Sequence, residues 1–250
     1  MRKFYQSVML SAALCFGAGT AIAGSDHHWG YEGHEGPMHW GDISHDYHMC
    51  KDGKQQSPID IRGATPKALD AIGFSYTASP KNIVNNGHTI QVNMKPGSTI
   101  TVGGKTYKLL QFHFHSPSEH KIDGKPADMV AHFVHQADDG QLGVVAVLFK
   151  KGKANPIIGK LWKKMPKNHG GNADLAGMSL SVADLLPGNR AYYNYSGSLT
   201  TPPCSEGVNW MVLKSPVNVS AAQVKAFTDI FPKSVRPTQP LHGREIHMVK

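Results

Sequence analysis

The sequence predicts a mostly β protein, a single domain with a few short helices at its periphery. Three observations carry that expectation. Short apolar runs alternate apolar and polar residues with period two, the pattern of a half-buried strand. Glycine and proline, 26 and 16 residues, are spread along the whole chain, as closely spaced turns require. Segments with helical spacing are few and short.

The elements follow in chain order. Residues 89–94 put Ile90, Val92 and Met94 on one face, and Thr99–Val102 follows after a Pro96-Gly97 turn. Residues 108–115 end in QFHFH, alternating phenylalanine with histidine. Residues 129–135, MVAHFVH, form a second histidine strand, and 143–150, GVVAVLFK, is an apolar run. Residues 191–195 and 208–213 complete the expected strands. Helices are expected at 155–164 and 220–230. The second carries the clearer start, with Ser220 as N-cap and Gln223 at the capping-box spacing. Residues 182–186 are expected to form a single turn. No internal repeat and no low-complexity linker interrupts the pattern.

Residues 1–23 read as a secretory signal peptide. Arg2 and Lys3 precede an apolar run that ends in Ala21-Ile22-Ala23, an A-x-A cleavage pattern. The mature chain is then 24–250, the length of one domain. A membrane anchor is the weaker alternative, because the run is short and small residues interrupt it. A lipoprotein at Cys15 is weaker still, because Leu14 stands where a small residue is expected. No later segment is apolar enough to span a bilayer, so the expected location is periplasmic or secreted.

The chain is basic, with net charge +8, and loss of Arg2 and Lys3 with the leader lowers this to +6. The lysines are scattered, and no arginine stripe or aromatic–basic interleaving marks a nucleic-acid surface. A solvated basic surface with a preference for anions is the default reading. Two cysteines survive processing, Cys50 and Cys204. In an exported chain, an even count points to one disulfide. By loop-closure entropy such a bridge contributes at most about 4–5 kcal/mol.

On the first histidine strand, Gln111, His113 and His115 share one face, and Phe112 and Phe114 share the other. On the second, His132 lies between Val130 and Val134 on one face. If the strands are neighbours, His132 joins His113 and His115. Three imidazoles with an open fourth position describe a catalytic zinc site, as distinct from the closed four-ligand structural kind. Neutral imidazoles without thiolate or carboxylate suit Zn²⁺.

QFHFHSPSEH, AHFVH and SLTTPPCSEGVNW together resemble the α-class carbonic anhydrases, in their bacterial, exported branch. So do HHWGYEGHEGP, QQSPIDI, NNGH and VRPTQPLHGR, which extend the resemblance over essentially the whole mature chain. The resemblance implies a large central twisted, mainly antiparallel sheet. It implies reversible hydration of CO2 to bicarbonate and a proton through zinc-bound hydroxide, with weak ester hydrolysis beside it. His113, His115 and His132 are the implied ligands of one Zn²⁺, and the metal brings the pKa of its water to about 7. Thr200 and Glu119 are implied to orient the hydroxide. Val134, Val144, Leu199, Val208 and Trp210 correspond to the apolar wall for CO2, with Thr201 at its flank. His88 corresponds to the proton shuttle, and Tyr31, Asn86 and Gln91 to residues that order the water between. Sulfonamides and small anions are the implied inhibitors, and a homodimer is an implied assembly.

Two positions depart from the family pattern. Gln111 matches the acceptor that supports His113, but Val130 stands before His132 where the family commonly has Glu. Valine accepts no hydrogen bond, so His132 needs another partner, and a weaker zinc site is expected. Ser234 stands where related chains often carry Asn, a harmless change if the contact comes from the backbone carbonyl. His27, His28, His34, His39, His45 and His48 read as exposed or locally bonded imidazoles, with incidental metal binding as the alternative. His120, His135, His169, His242 and His247 receive no role. The competing functions are a non-catalytic binding module on the same fold and a periplasmic zinc-binding protein. All three ligand histidines with Thr200 and Glu119 argue against the first. The apolar wall argues against the second.

Overall fold

The structure is a computed structural model and describes residues 27–249. The signal peptide expected at 1–23, with Cys15, lies outside the described residues. Among the described residues one sheet has 13 strands and a second has three. The main path runs Asn172–Asp174, Pro80–Asn85, Ile90–Met94, Lys105–His115, Met129–Ala137, Leu142–Lys151, Glu206–Leu213, Tyr192–Ser198, His247–Val249 and Thr65–Lys67. Parallel pairs occur where Leu142–Lys151 meets Glu206–Leu213 and Val217–Val219, and where His247–Val249 meets Thr65–Lys67. The other pairs of this sheet are antiparallel, as expected of the fold class.

The expected strands form, with ends shifted by a few residues. The helices are Pro156–Trp162 and Ala221–Thr228, and Val182–Leu185 is a single 3-10 turn. Asn155 caps the first helix by accepting from the N–H groups of Ile157 and Ile158. Ser220 and Gln223 form the full capping box of the second. The short helices Trp40–Ile43 and Met49–Asp52, and the strands Pro80–Asn85 and Asn172–Asp174, carry too weak a period to be read from sequence.

The sheet separates two cores. Along Leu142–Lys151, Val145, Val147 and Phe149 enter the larger core, while Val144, Ala146 and Leu148 enter the smaller one. This explains the unbroken apolar run, since both faces of the strand are covered. Phe112, Phe114 and Phe133 are fully buried in the larger core, each contributing about 2–3 kcal/mol by area. A slip of one residue would turn them to the smaller core's side and drive the histidines into the larger core, so the register is strongly specified. The pairing skips Leu110, because Val134 opposes Gln111 and His135 opposes Leu109. This bulge reverses the facing of the strand. Tyr107 and Leu109 therefore share the larger core with Phe112 and Phe114, while Gln111, His113 and His115 face the other side.

Candidate metal centre

Register brings the histidines together. His132 lies opposite His113, and Val130 opposite His115. Opposed residues share a face, so three imidazoles gather on the smaller-core side. Their ring centroids stand 5.1, 5.4 and 4.9 Å apart. One ligand atom from each lies within 4.8 Å of the others. Gln91, on the next strand, lies opposite His113.

Two rings are held by acceptors behind them. His113 Nδ1–H donates to Gln111 Oε1 at 2.9 Å, and His115 Nδ1–H donates to the Ser234 carbonyl at 2.5 Å. Each bond sets the tautomer and leaves Nε2 with its lone pair free. The Ser234 contact comes from the backbone, so the departure from Asn leaves it intact. His132 is different: its Nε2 is buried and has no hydrogen-bond partner. Val130, fully buried on the same face, supplies none. The third ring lacks the side-chain acceptor that the first one has.

The residues fit a metal. His115 Nε2 is buried without a partner, a costly state unless a ligand uses its lone pair. Burial first, and the neighbouring His115 next, hold His113 and His132 well below the ordinary imidazole pKa. They are therefore neutral, the form that binds metal. Three nitrogen donors without thiolate suit zinc.

Glu119 is buried beside the rings, its Oε2 at 3.6 Å from His115 Nε2 and 3.8 Å from His132 Nδ1. Glu119 Oε1 accepts from the Arg236 backbone N–H at 2.9 Å. Thr200 is buried too, and Glu119 Oε2 has no hydrogen-bond partner among the described residues. The buried hydroxyl of Tyr31 has no partner, and its pKa is raised by burial and then by the Glu119 charge.

The expected apolar wall forms one surface. Val134 opposes Val144, and Val144 opposes Trp210. Val208 belongs to the same cluster, and Leu199 packs against it. Thr201 is half-buried next to Thr200. The loop that bears these threonines is tied down by the Cys50–Cys204 disulfide, with 5.0 Å between Cα atoms. Gln56 Nε2 also donates to the Cys204 carbonyl at 3.0 Å.

His88 is half-buried and stacks on Trp29, with ring centroids 3.7 Å apart. Asn86 Oδ1 accepts from the N–H groups of His88 and Thr89, which shapes the turn. Burial lowers the His88 pKa, and His28 and His169 lower it further. Gln91 Nε2 donates to Asn93 Oδ1 at 2.7 Å.

Sequence reasoning missed Arg236, Trp29 and His120. The buried Arg236 guanidinium donates to Gln56 Oε1 and to the carbonyls of Ser57 and Cys50, distant partners that leave no local signal. Trp29 lies in the quoted HHWG motif but has no periodic neighbour to give it a face. His120 was visible in SEH but carried no pairing information. It packs edge-on against His132, with ring centroids 6.0 Å apart.

A mainly antiparallel sheet that carries three clustered imidazoles beside a buried carboxylate and an apolar wall defines a β protein with a three-histidine group able to hold a metal. The chain belongs to the eukaryotic-type carbonic anhydrase family, whose model matches residues 35–250. It is 44% identical to a carbonic anhydrase of Pectobacterium carotovorum, over 96% of this chain and 97% of that one. The α-carbonic anhydrase of Thermovibrio ammonificans, solved with sulfanilamide, is 48% identical at a TM-score of 0.86. That likeness covers 88% of this chain and 99% of the other. The α-carbonic anhydrase of Photobacterium profundum is 44% identical at a TM-score of 0.84, covering 88% and 100%.

Proposed function

We propose that this carbonic anhydrase holds one Zn²⁺ on His113, His115 and His132 and uses it to hydrate CO2 reversibly to bicarbonate and a proton. The observation that carries the reading is the convergence of three ring nitrogens within 4.8 Å beside Glu119. His113 and His115 would bind through Nε2, and His132 through Nδ1. When bound, zinc lowers the pKa of a coordinated water to about 7, which supplies a nucleophile at neutral pH.

The chain's own residues do the rest. Thr200 orients the nucleophile by accepting its proton in a hydrogen bond and donating its own to Glu119 Oε2. Arg236 N–H, bonded to Oε1, keeps that carboxylate turned toward the site. Val134, Val144, Leu199, Val208 and Trp210 exclude water and receive CO2, which has no net dipole; Thr201 borders them. His88 relays the released proton to solvent, as an imidazole can, with its pKa lowered by burial and by His28 and His169. Tyr31, Asn86 and Gln91 order the water between. Weak esterase activity follows from the same nucleophile.

Sulfonamides are expected to inhibit, because the similar Thermovibrio enzyme was solved with sulfanilamide. Small anions should compete for the same place. No helix among the described residues is long and apolar enough to cross a membrane. We read the chain as exported to the periplasm or secreted, with 24–250 as its catalytic domain, and a homodimer as its assembly to be tested.

The test is stopped-flow CO2 hydration against pH by the chain from Gly24, with zinc content measured on the same sample. A fast rate rising through an apparent pKa near 7 is expected. Stoichiometric zinc without hydration would favour a binding module instead.

A further inference from the structure

Besides His115 Nε2, two buried ring nitrogens next to the candidate metal centre have no hydrogen-bond partner, His132 Nε2 and His120 Nδ1. Their rings are 1% and 0% exposed and stand edge-on, 83° apart, with centroids separated by 6.0 Å. A ring atom lies little more than an ångström from its centroid, so the two nitrogens stay beyond direct hydrogen-bond reach. The residues that flank His132 on its own strand and on Leu142–Lys151 offer its Nε2 no side-chain acceptor. Val130 precedes His132 on the same face, Ala146 lies opposite it, and Leu148 lies opposite Val130. Trp210 contacts both imidazoles, but its indole N–H is already given to the Ser198 carbonyl at 2.9 Å.

The proton positions follow from a chain of hydroxyls. Ser57 Oγ accepts from Ser198 N–H at 3.0 Å and lies 2.7 Å from Tyr195 Oη. Among the described residues, Tyr195 Oη is the acceptor within reach for the Ser57 proton. Tyr195 then donates to His120 Nε2, 2.7 Å away. That leaves the His120 proton on Nδ1. A Cβ on Gly197 would collide with Ser57, Tyr195 and Trp210, so glycine there lets the chain close. When His132 presents Nδ1 to the metal, its own proton is on Nε2. Two buried N–H donors on adjacent rings are therefore left without an acceptor.

We propose that one buried water accepts from both His132 Nε2–H and His120 Nδ1–H, and that His120, set by Tyr195 and Ser57, is the positioning residue for the third metal ligand. A water oxygen has two lone pairs, which matches two donors. Val130 leaves this task to a residue outside its own strand. The inference rests on His132 being a zinc ligand, as proposed above.

The experiment begins with zinc stoichiometry and chelator competition on the wild type, which tests the metal reading by itself. The same competition is then run on His120→Phe, Val130→Glu and the double variant, with thermal unfolding as the check on folding. His120→Phe should weaken zinc by about 10–100-fold. Val130→Glu, which gives His132 an acceptor of its own, should restore binding in the His120→Phe background, a rescue that a merely structural role would not show. A folded His120→Phe with wild-type zinc affinity overturns the proposal. If His120→Phe does not fold, ¹⁵N-histidine spectra of the wild-type protein decide. They should show His120 in the Nδ1–H form with a slowly exchanging proton, and an Nε2–H form overturns the proposal.

Discussion

Gln111 and His113 sit two residues apart on one strand, and the ring's Nδ1–H donates to the Gln111 side-chain oxygen at 2.9 Å. His115 takes the same kind of support from a backbone carbonyl, that of Ser234. The two contacts predict opposite sensitivities. Gln111→Leu should weaken zinc binding by about 10–100-fold. Ser234→Ala should leave affinity unchanged and not lower the melting temperature, because the Ser234 hydroxyl is buried without a partner. Chelator competition on the two variants checks both statements. Equal affinities for Gln111→Leu and wild type would contradict the first.

Glu119→Gln keeps the shape of the side chain and removes its charge. The Arg236 N–H contact survives, but the carboxylate no longer serves as a firm acceptor for Thr200. Misdirecting the attacking oxygen in this way should lower kcat/KM by about 10²-fold. Zinc content should not change. Stopped-flow rates set beside metal analysis separate lost orientation from lost metal.

His88 is held flat against Trp29. If it carries protons out, His88→Ala should lower kcat by about 10²-fold in dilute buffer while sparing kcat/KM. Adding imidazole should restore the rate. An unchanged kcat in dilute buffer would assign the exit to another group.

The Cys50–Cys204 bridge spans a sequence separation of 154 residues. Reduction should lower stability by up to about 4–5 kcal/mol through the entropy of the released loop. Activity should fall as well, because the bridge anchors the loop bearing Thr200 and Thr201. Denaturant unfolding of oxidised and reduced protein measures the first effect, and hydration assays below the melting temperature the second.

His135 is buried in the larger core's face. It accepts from Tyr76 Oη at 2.8 Å and donates Nδ1–H to the Gly143 carbonyl at 3.2 Å. Burial pushes its pKa down to about 4, against about 6.5 in the unfolded chain. Between those values the unfolded chain binds more protons, so stability is complete above pH 6.5 and declines as pH falls toward 4. The loss from this one group approaches about 3 kcal/mol. Urea midpoints from pH 8 to 4 should show a steeper acid decline for wild type than for His135→Leu. Parallel curves would assign the decline to other groups.

Local patterns were readable because their causes are local. The alternation in QFHFH and MVAHFVH reflects the two faces of a strand, so each histidine could be placed on a strand face from its neighbours alone. The Ser220–Gln223 capping box spans a single turn and was equally plain. The bulge at Leu110 was hidden, because it appears only when two strands are laid in register.

Contacts between distant segments needed the fold. Ser234 reaches His115 across 119 positions, and Arg236 reaches Glu119 across 117. A backbone carbonyl or N–H leaves no mark on side-chain identity, so no residue type announced either contact. The amino-acid order alone decided which side chains could bind a metal and which strand face they would share, because side-chain direction along a strand follows sequence parity. Tertiary packing decided what stands behind each imidazole, because hydrogen-bond partners are set by distance in space. His132, with Val130 before it and His120 beside it, shows that difference most clearly.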